Sequence, residues 1–315
     1  VKRILLPLSK SSKVEIVGIA SRSKEKAQKL ADLWHIPWAY DSYEALLEDP
    51  VIEAVYIPLP NHMHLEWIKK AADAGKHILC EKPFTLNAEE AEEAIRYVEG
   101  KGLKIMEAFM YRFHPKWERV RELVRYNEIG RVMTVHSMFT YTNLDPANIR
   151  NIQAYGGGAL MDIGCYAVSS ICEVVGRGPS RVMGVMELHP DFGTDLLTSG
   201  ILDFGTSRGL FTVSTGSFAQ QEVVIVGTDG VITVRVPFND FNDVKGELVV
   251  RNVLGARTVE FEPVNQYQLM FEHFADAIRE DFPPRVTLSE SQTNMRVLDA
   301  LRQSASGKGW IKLPK

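Results

Sequence analysis

Apolar positions in the first hundred residues alternate between short continuous runs and segments with a helical period. Val14 to Ala20 reads as a strand, and Lys24 to Trp34 reads as an amphipathic helix with Ala27, Leu30, Ala31 and Trp34 spaced by three and four. Val55-Tyr56-Ile57 is a buried strand closed by Pro58-Leu59-Pro60. A helix follows from about His62, with Leu65, Ile68 and Ala72 on one face and Gly75 at its end. His77 to Cys80 is the next strand. After the Pro83 turn, Asn87-Ala88-Glu89-Glu90 has the form of a capping box, opening a helix that carries Ala91, Ala94, Ile95 and Val98 and stops at Gly100 and Gly102. Leu103 to Met106 completes the series. Strands separated by helices predict a parallel sheet covered on its faces.

From about Arg131 the strands follow one another directly. Arg131 to Tyr141, Arg181 to Leu188, Leu196 to Phe204, Arg208 to Ser214, Glu222 to Val226, Val231 to Val236 and Glu247 to Val253 read as strands, several joined by turns at Gly205-Thr206, Asp229-Gly230 and Lys245-Gly246. Such strands pair antiparallel. Helical segments at Ala159 to Val175, Tyr267 to Arg279 and Ser289 to Ser304 accompany them. The fold class expected is therefore α/β followed by α+β: a parallel sheet covered by helices, then a domain with a large, mainly antiparallel open sheet. The division is 1–106 for the first domain, 107–288 for the second, and 289–315 for a C-terminal helix and tail. A length of 315 residues suits two domains.

Composition narrows the function classes. Lys plus Arg is 36 against 40 Asp plus Glu, and the net charge of -4 gives no reason to expect a nucleic-acid or membrane-surface partner. No run approaches the roughly 18 to 20 consecutive apolar residues of a membrane span. Three cysteines, Cys80, Cys165 and Cys172, cannot all pair within one chain, so a reducing, cytoplasmic setting is expected.

A doubly wound nucleotide domain opens with a strand, a Gly-rich turn that approaches the pyrophosphate, and a helix. Those glycines are absent here. Either Val1 to Leu8 is the tail of the first helix, with the first strand and its loop expected upstream of Val1, or a different α/β fold starts at Val14. Lys82, in Ala74-Gly75-Lys76-His77-Ile78-Leu79-Cys80-Glu81-Lys82-Pro83, stands at a strand's carboxyl end, where such sheets bind ligands. Confinement there is expected to lower its pKa, and Pro83 to aim it through a turn that a cis peptide would suit.

Five motifs occur in one order: Ala20-Ser21-Arg22, Ile57 to His64, Gly75 to Pro83, Glu107 to Pro115, and Gly156 to Tyr166. Together they resemble the glucose-fructose oxidoreductase, inositol dehydrogenase and rhizopine-catabolism (Gfo/Idh/MocA) family over essentially the whole chain. The branch they resemble most holds the D-xylose dehydrogenases and the dimeric dihydrodiol dehydrogenases. The resemblance implies a Rossmann-type dinucleotide-binding domain over 1–106, substrate binding and oligomerisation over 107–288, and hydride transfer between a nicotinamide and a CH-OH group of a sugar or polyol, an aldose at C1 foremost. The alternatives are trans-dihydrodiol oxidation and a non-catalytic, cofactor-binding regulator.

Carried over to these positions, the family implies that Lys82 lies beside the nicotinamide and the substrate hydroxyl, and that Tyr166 transfers the proton. Lys82 would lower the phenol's pKa and Asp162 would orient the pair; the reverse assignment, with Lys82 as base, stays open. A helix entered near Leu160 sets Asp162 and Tyr166 one turn apart on one face. Cofactor contacts fall to Pro58, Leu59, Pro60, Asn61, His64, Glu81, Lys82 and Tyr267, and Asn61 also suits a helix cap. With no acidic residue after the second strand, Ser21, Arg22 and Lys26 favour the 2′-phosphate of NADP, with NAD the alternative. Arg112, Arg150 and Tyr166 are the substrate contacts. His62 and His64 have no partner cluster, so no metal is expected. The apolar sheet face around Val135, Val185, Ile201 and Phe211 is expected to join a homodimer or homotetramer.

Overall fold

A computed structural model describes residues 2–314 of the chain. Helix α1 (Lys2–Leu8) precedes β1 (Gly18–Ala20), α2 (Lys24–Trp34), β2 (Trp38–Tyr40), α3 (Tyr43–Glu48), β3 (Ala54–Ile57), α4 (His64–Asp73), β4 (His77–Cys80), α5 (Ala88–Val98) and β5 (Ile105–Glu107). Caps mark the helices as the sequence suggests. Ser23 accepts from the Lys26 amide, Asn87 from the Glu90 amide, and Gly75 follows α4 with φ +71°. Glu90 reaches back to the Leu86 amide, one residue earlier than a capping box requires.

All pairings here are parallel, in two groups: β1 with β2, and β3-β4-β5. The hydrophobic pattern leaves β2 and α3 unassigned. Trp38 is 57% exposed, so β2 carries no buried apolar run, although Ser42 caps α3 by accepting from the Ala45 amide.

After α6 (Pro115–Arg125) come β6 (Val132–Thr142) and α7 (Cys165–Val175). Then follow β7 (Arg181–Leu188), β8 (Asp195–Asp203), β9 (Arg208–Ser214), β10 (Gly216–Gly227), β11 (Gly230–Arg235), β12 (Gly246–Asn252), β13 (Gly255–Phe261), α8 (Gln266–Arg279), α9 (Leu288–Gln303) and β14 (Ile311–Lys312). Nine of these strands form one sheet in the order β13-β12-β11-β10-β6-β9-β8-β7-β14, antiparallel except where β6 meets β9. Strands β13 and β14 at its two edges escape the sequence reading, since neither carries an apolar run.

One face of this sheet is covered by helices and the other is open. Alternation along β6 and β9 puts Val135 (0% exposed) and Phe211 (3%) on the covered side, against the expectation that they belong to the free apolar face. The open side carries their neighbours His136, Met138 and Leu210, with Val185, Met183 and Ile201 beside them. Helix α9 packs on α5 and β5 of the first domain as well as on α7 and β7 of the second, so the C-terminal segment holds the two together. Among the described residues, one helical run is long and apolar enough to cross a membrane, Gln153–Val175, and most of it is core.

Candidate active site

The carboxyl ends of β3, β4 and β5 lie side by side, and each strand gives way to a loop that carries a motif. Pro58-Leu59-Pro60 runs into a 3-10 turn at Asn61–Met63, and Glu81-Lys82-Pro83 follows β4 with a cis bond at Lys82-Pro83. His64 ties these two loops. It is fully buried, with Nδ1 3.0 Å from the Pro83 carbonyl and Nε2 2.8 Å from the Leu59 carbonyl. Both ring nitrogens are taken up by backbone, so His64 shapes the loop and does not itself reach out to a cofactor. Asn61 bridges the domains by donating to the Gly156 carbonyl at 2.9 Å. Glu81 accepts from the Tyr56 hydroxyl and from the Lys82 amide; burial foremost pushes its carboxyl up.

The Lys82 ammonium donates to the Asp162 carbonyl at 2.6 Å and to Asp162 Oδ1 at 2.9 Å. Arg150 Nε reaches the same Oδ1 at 3.0 Å, and the Tyr141 hydroxyl donates to Oδ2. Three donors thus converge on one carboxylate. Burial works against the Asp162 charge, but Lys82, Arg150 and Tyr141 outweigh it and hold its pKa down at about 2. Burial likewise works against the Lys82 ammonium, yet Asp162 above all keeps its pKa above the ordinary value. Lys82 is therefore a firmly charged group, contrary to the lowered pKa that confinement alone predicts: an anion in contact outweighs desolvation.

Asp162 reaches this position from a π-helical turn, Leu160–Gly164, that leads into α7. Asp195 on β8 sets its start by accepting from the Leu160 amide at 2.7 Å and the Thr198 hydroxyl at 2.6 Å. The glycines before it are forced by close packing. Gly158 has φ +114°, and a Cβ there would lie 2.0 Å from Asp195 Oδ1. A Cβ on Gly157 would lie 2.4 Å from the Arg150 carbonyl oxygen. The Gly158 amide donates to that same carbonyl at 2.8 Å, which fixes the Arg150 loop against the helix start.

Tyr166 follows the π turn in the first turn of α7, four residues after Asp162. Tyr166 lies within an aromatic cluster of Phe109, Tyr111, Phe139 and Phe238, and its hydroxyl points at Met110 Sδ, 3.4 Å away. Lys82 Nζ faces the Tyr166 ring at 5.1 Å from its centre. Burial pushes the phenol well above its ordinary value, so the expected lowering by Lys82 does not occur in this arrangement.

Arg112 does not join the site. It is buried in ion pairs with Glu173 at 2.8 Å and Glu290 at 3.1 Å, because the 3-10 turn Met110–Phe113 aims it at α7 and α9. Tyr267 enters from α8 near Glu81 and Lys82. Ser21, at the end of β1, accepts from the Ser23 amide and keeps its own proton to donate, while Arg22 and Lys26 are exposed beside it. No carboxylate of β1 stands there, so the donor set fits a phosphate group.

Two further groups escape sequence reading. Tyr141 shares the covered face of β6 with Val135 and Phe139, and that alternation is the signal that could have found it. Glu107 ends β5 opposite Cys80, fully buried, and neither carboxyl oxygen has a partner of hydrogen-bonding geometry. Ser291 on α9 and the Phe84 amide are its polar neighbours; burial foremost pushes its pKa up to about 7. Among the described residues, no group of three or more His, Cys, Asp or Glu is placed to hold a metal ion.

Residues 2–109 match the family described as an oxidoreductase family with an NAD-binding Rossmann fold, and residues 117–233 match the GFO/IDH/MocA C-terminal domain. A D-xylose 1-dehydrogenase (NADP(+)) from Haloferax volcanii is 39% identical, over 98% of this chain and 95% of that protein. A trans-1,2-dihydrobenzene-1,2-diol dehydrogenase from Mus musculus is 30% identical, over 93% of this chain and 90% of its own length. A 3-ketoreductase from Actinomadura kijaniata, crystallised with NADP and TDP-benzene, superposes with a TM-score of 0.89 at 26% identity, covering 96% of this chain and 93% of that one. The charged Lys82–Asp162 pair at the carboxyl end of a parallel sheet, the Rossmann-type first domain and these matches agree: the chain belongs to the GFO/IDH/MocA family of oxidoreductases.

Proposed function

We propose that the chain is an NADP-dependent dehydrogenase or reductase acting on a CH-OH carbon of a polyhydroxylated small molecule, first an aldose at C1 and second a trans-dihydrodiol. The Lys82–Asp162 ion pair facing the Tyr166 ring carries this reading. The xylose and dihydrodiol dehydrogenases among its relatives act on substrates with oxygens on adjacent carbons. The 3-ketoreductase has also been solved with a Tyr→Phe change at one position and a Lys→Ala change at another, as far apart in its sequence as Lys82 and Tyr166 are here.

NADP supplies the hydride acceptor when bound; Ser21, Arg22 and Lys26 would hold its 2′-phosphate, and Leu59 to Asn61 its nicotinamide ribose. Lys82 donates to the reacting oxygen and stabilises the charge that develops there. Tyr166 carries the proton, and its hydroxyl gives up only a weak sulfur contact to turn towards that oxygen. Asp162 keeps Lys82 charged and fixed. Absorbance of reduced nicotinamide, followed with NADP over a panel of aldoses, cyclitols and dihydrodiols, tests the activity. Tyr166→Phe should lower kcat on the order of 10²-fold with cofactor affinity kept. Unchanged turnover in that variant would refute the proton role.

We also propose a homodimer or homotetramer built through the open sheet face. Val185 is 66% exposed there and Met138 44%, with Met183 beside them, an apolar surface of the kind that pairs with a second copy.

A further inference from the structure

Asp162 offers about four lone-pair positions, of which Lys82, Arg150 and Tyr141 occupy three. The division between its oxygens is uneven. Oδ1 takes both cations, whereas Oδ2 takes only the Tyr141 hydroxyl. Arg150 spends only Nε on Asp162 among the described residues, and its side chain is 47% exposed, which leaves its two Nη groups uncommitted to that carboxylate. On the Oδ2 side the site therefore presents a carboxylate oxygen with a lone pair to spare, a phenol and the open end of a guanidinium. The Tyr141 phenol is pushed up by burial first and by Asp162 next, so it remains a proton donor.

That set suits a neutral hydroxyl group, which is donor and acceptor at once. An alcohol donates to Asp162 Oδ2 or to the Tyr141 oxygen, whose own proton is committed to Oδ2, and accepts from Arg150 Nη. A carboxylate or phosphate would meet the Asp162 charge. Lys82 holds the reacting oxygen on the Oδ1 side of Asp162, and the Oδ2 side with Tyr141 lies next to it, where an oxygen on the neighbouring carbon would fall.

We propose that Tyr141, with Asp162 Oδ2 and the open end of Arg150, forms a second hydroxyl subsite that reads the oxygen on the carbon adjacent to the reacting one and selects vicinal diols. The subsite rests on the reading of Lys82 as the group at the reacting oxygen. Tyr141 touches substrate in this scheme and takes no part in the hydride step.

The test compares wild type and Tyr141→Phe with NADP on D-xylose and on its 2-deoxy counterpart, with NADPH affinity from fluorescence titration and Tm measured on both proteins. Wild type should prefer the sugar with the adjacent hydroxyl. Tyr141→Phe should lose on the order of 10- to 100-fold more kcat/KM on D-xylose than on the deoxy sugar, the scale of one hydrogen bond within a charged cluster. Equal losses on both sugars, with or without a fall in Tm or NADPH affinity, mark a structural role and overturn the subsite. So does a wild type that does not distinguish the two sugars. Absence of any wild-type turnover across the aldose, cyclitol and dihydrodiol panel overturns the functional reading itself, and the wild-type arm alone reveals that outcome.

Discussion

Replacing Glu107 by Gln removes an ionisable group from a place where its charge has no partner. In the folded protein the carboxyl titrates at about 7, against 4.5 in the unfolded chain, because burial penalises the charged form. Between those two values the folded state binds more protons than the unfolded state, so stability falls as pH rises through the window and levels off above 7. The full displacement corresponds to about 3 kcal/mol at 1.36 kcal/mol per pKa unit, and the part between pH 5 and pH 8 to roughly 2 to 3 kcal/mol. Gln keeps the shape and cannot ionise. Relative to wild type, Glu107→Gln should therefore gain that much stability on going from pH 5 to pH 8, whatever its offset at pH 5. Urea unfolding at several pH values, read by tryptophan fluorescence, measures the difference, and a thermal melt should show a gap widening by several degrees. Parallel pH curves for the two proteins would show that Glu107 is ionised or solvated in the native state, and the burial argument would fail.

Gly158→Ala forces a side chain onto a residue at φ +114° and into Asp195 Oδ1, so it should cost at least about 1 to 3 kcal/mol and lower kcat by displacing the Asp162 turn; a wild-type Tm and kcat would contradict the packing. Val185→Asp places a charge on the open sheet face and should yield monomers by sedimentation velocity with the cofactor site intact, whereas an unchanged assembly would move the interface elsewhere. Ser21→Asp sets a carboxylate at the end of β1 and should shift preference towards NAD, measured as the ratio of kcat/KM for the two cofactors; undiminished NADP selectivity would show that Ser21 does not face the 2′-phosphate.

Much of this architecture is legible in the chain because local signals and tertiary packing agree. The helix Lys24–Trp34 and the strands His77–Cys80, Arg181–Leu188 and Arg208–Ser214 appear at the boundaries that periodicity and caps suggest. Lys82 and Asp162 come together as the family resemblance implies, since the strand end and the glycine run are fixed by short-range chemistry, whereas Arg150, read as a substrate contact, is found on Asp162. What escaped depends on geometry that spacing does not carry. Burial among Phe109, Tyr111, Phe139 and Phe238 sets the state of the Tyr166 phenol, and a one-position alternation on β6 and β9 hides Val135 and Phe211 under the helices. The fate of Arg112 is set by Glu173 and Glu290, remote partners that no local pattern names. Tyr141 sits in an ordinary strand sequence and gains its role only when α7 is laid across that strand.

Helix α9 gives the molecule an order of assembly. It is made late in translation, yet it lies against β5 and α5, which are made early, and its Asp299 accepts from the Ala88 amide that opens α5. Chains emerge amino end first and their domains fold as units in that order. While the carboxyl end is still being synthesised, the first domain must wait with Glu107 and the head of α5 uncovered, and long-range contacts of this kind form slowly. Protein released before Thr287 would carry Lys82, Asp162, Arg150 and Tyr141 and still lack the helix that docks one domain on the other. Synthesis of α9, more than the presence of these four side chains, is what brings the two domains together.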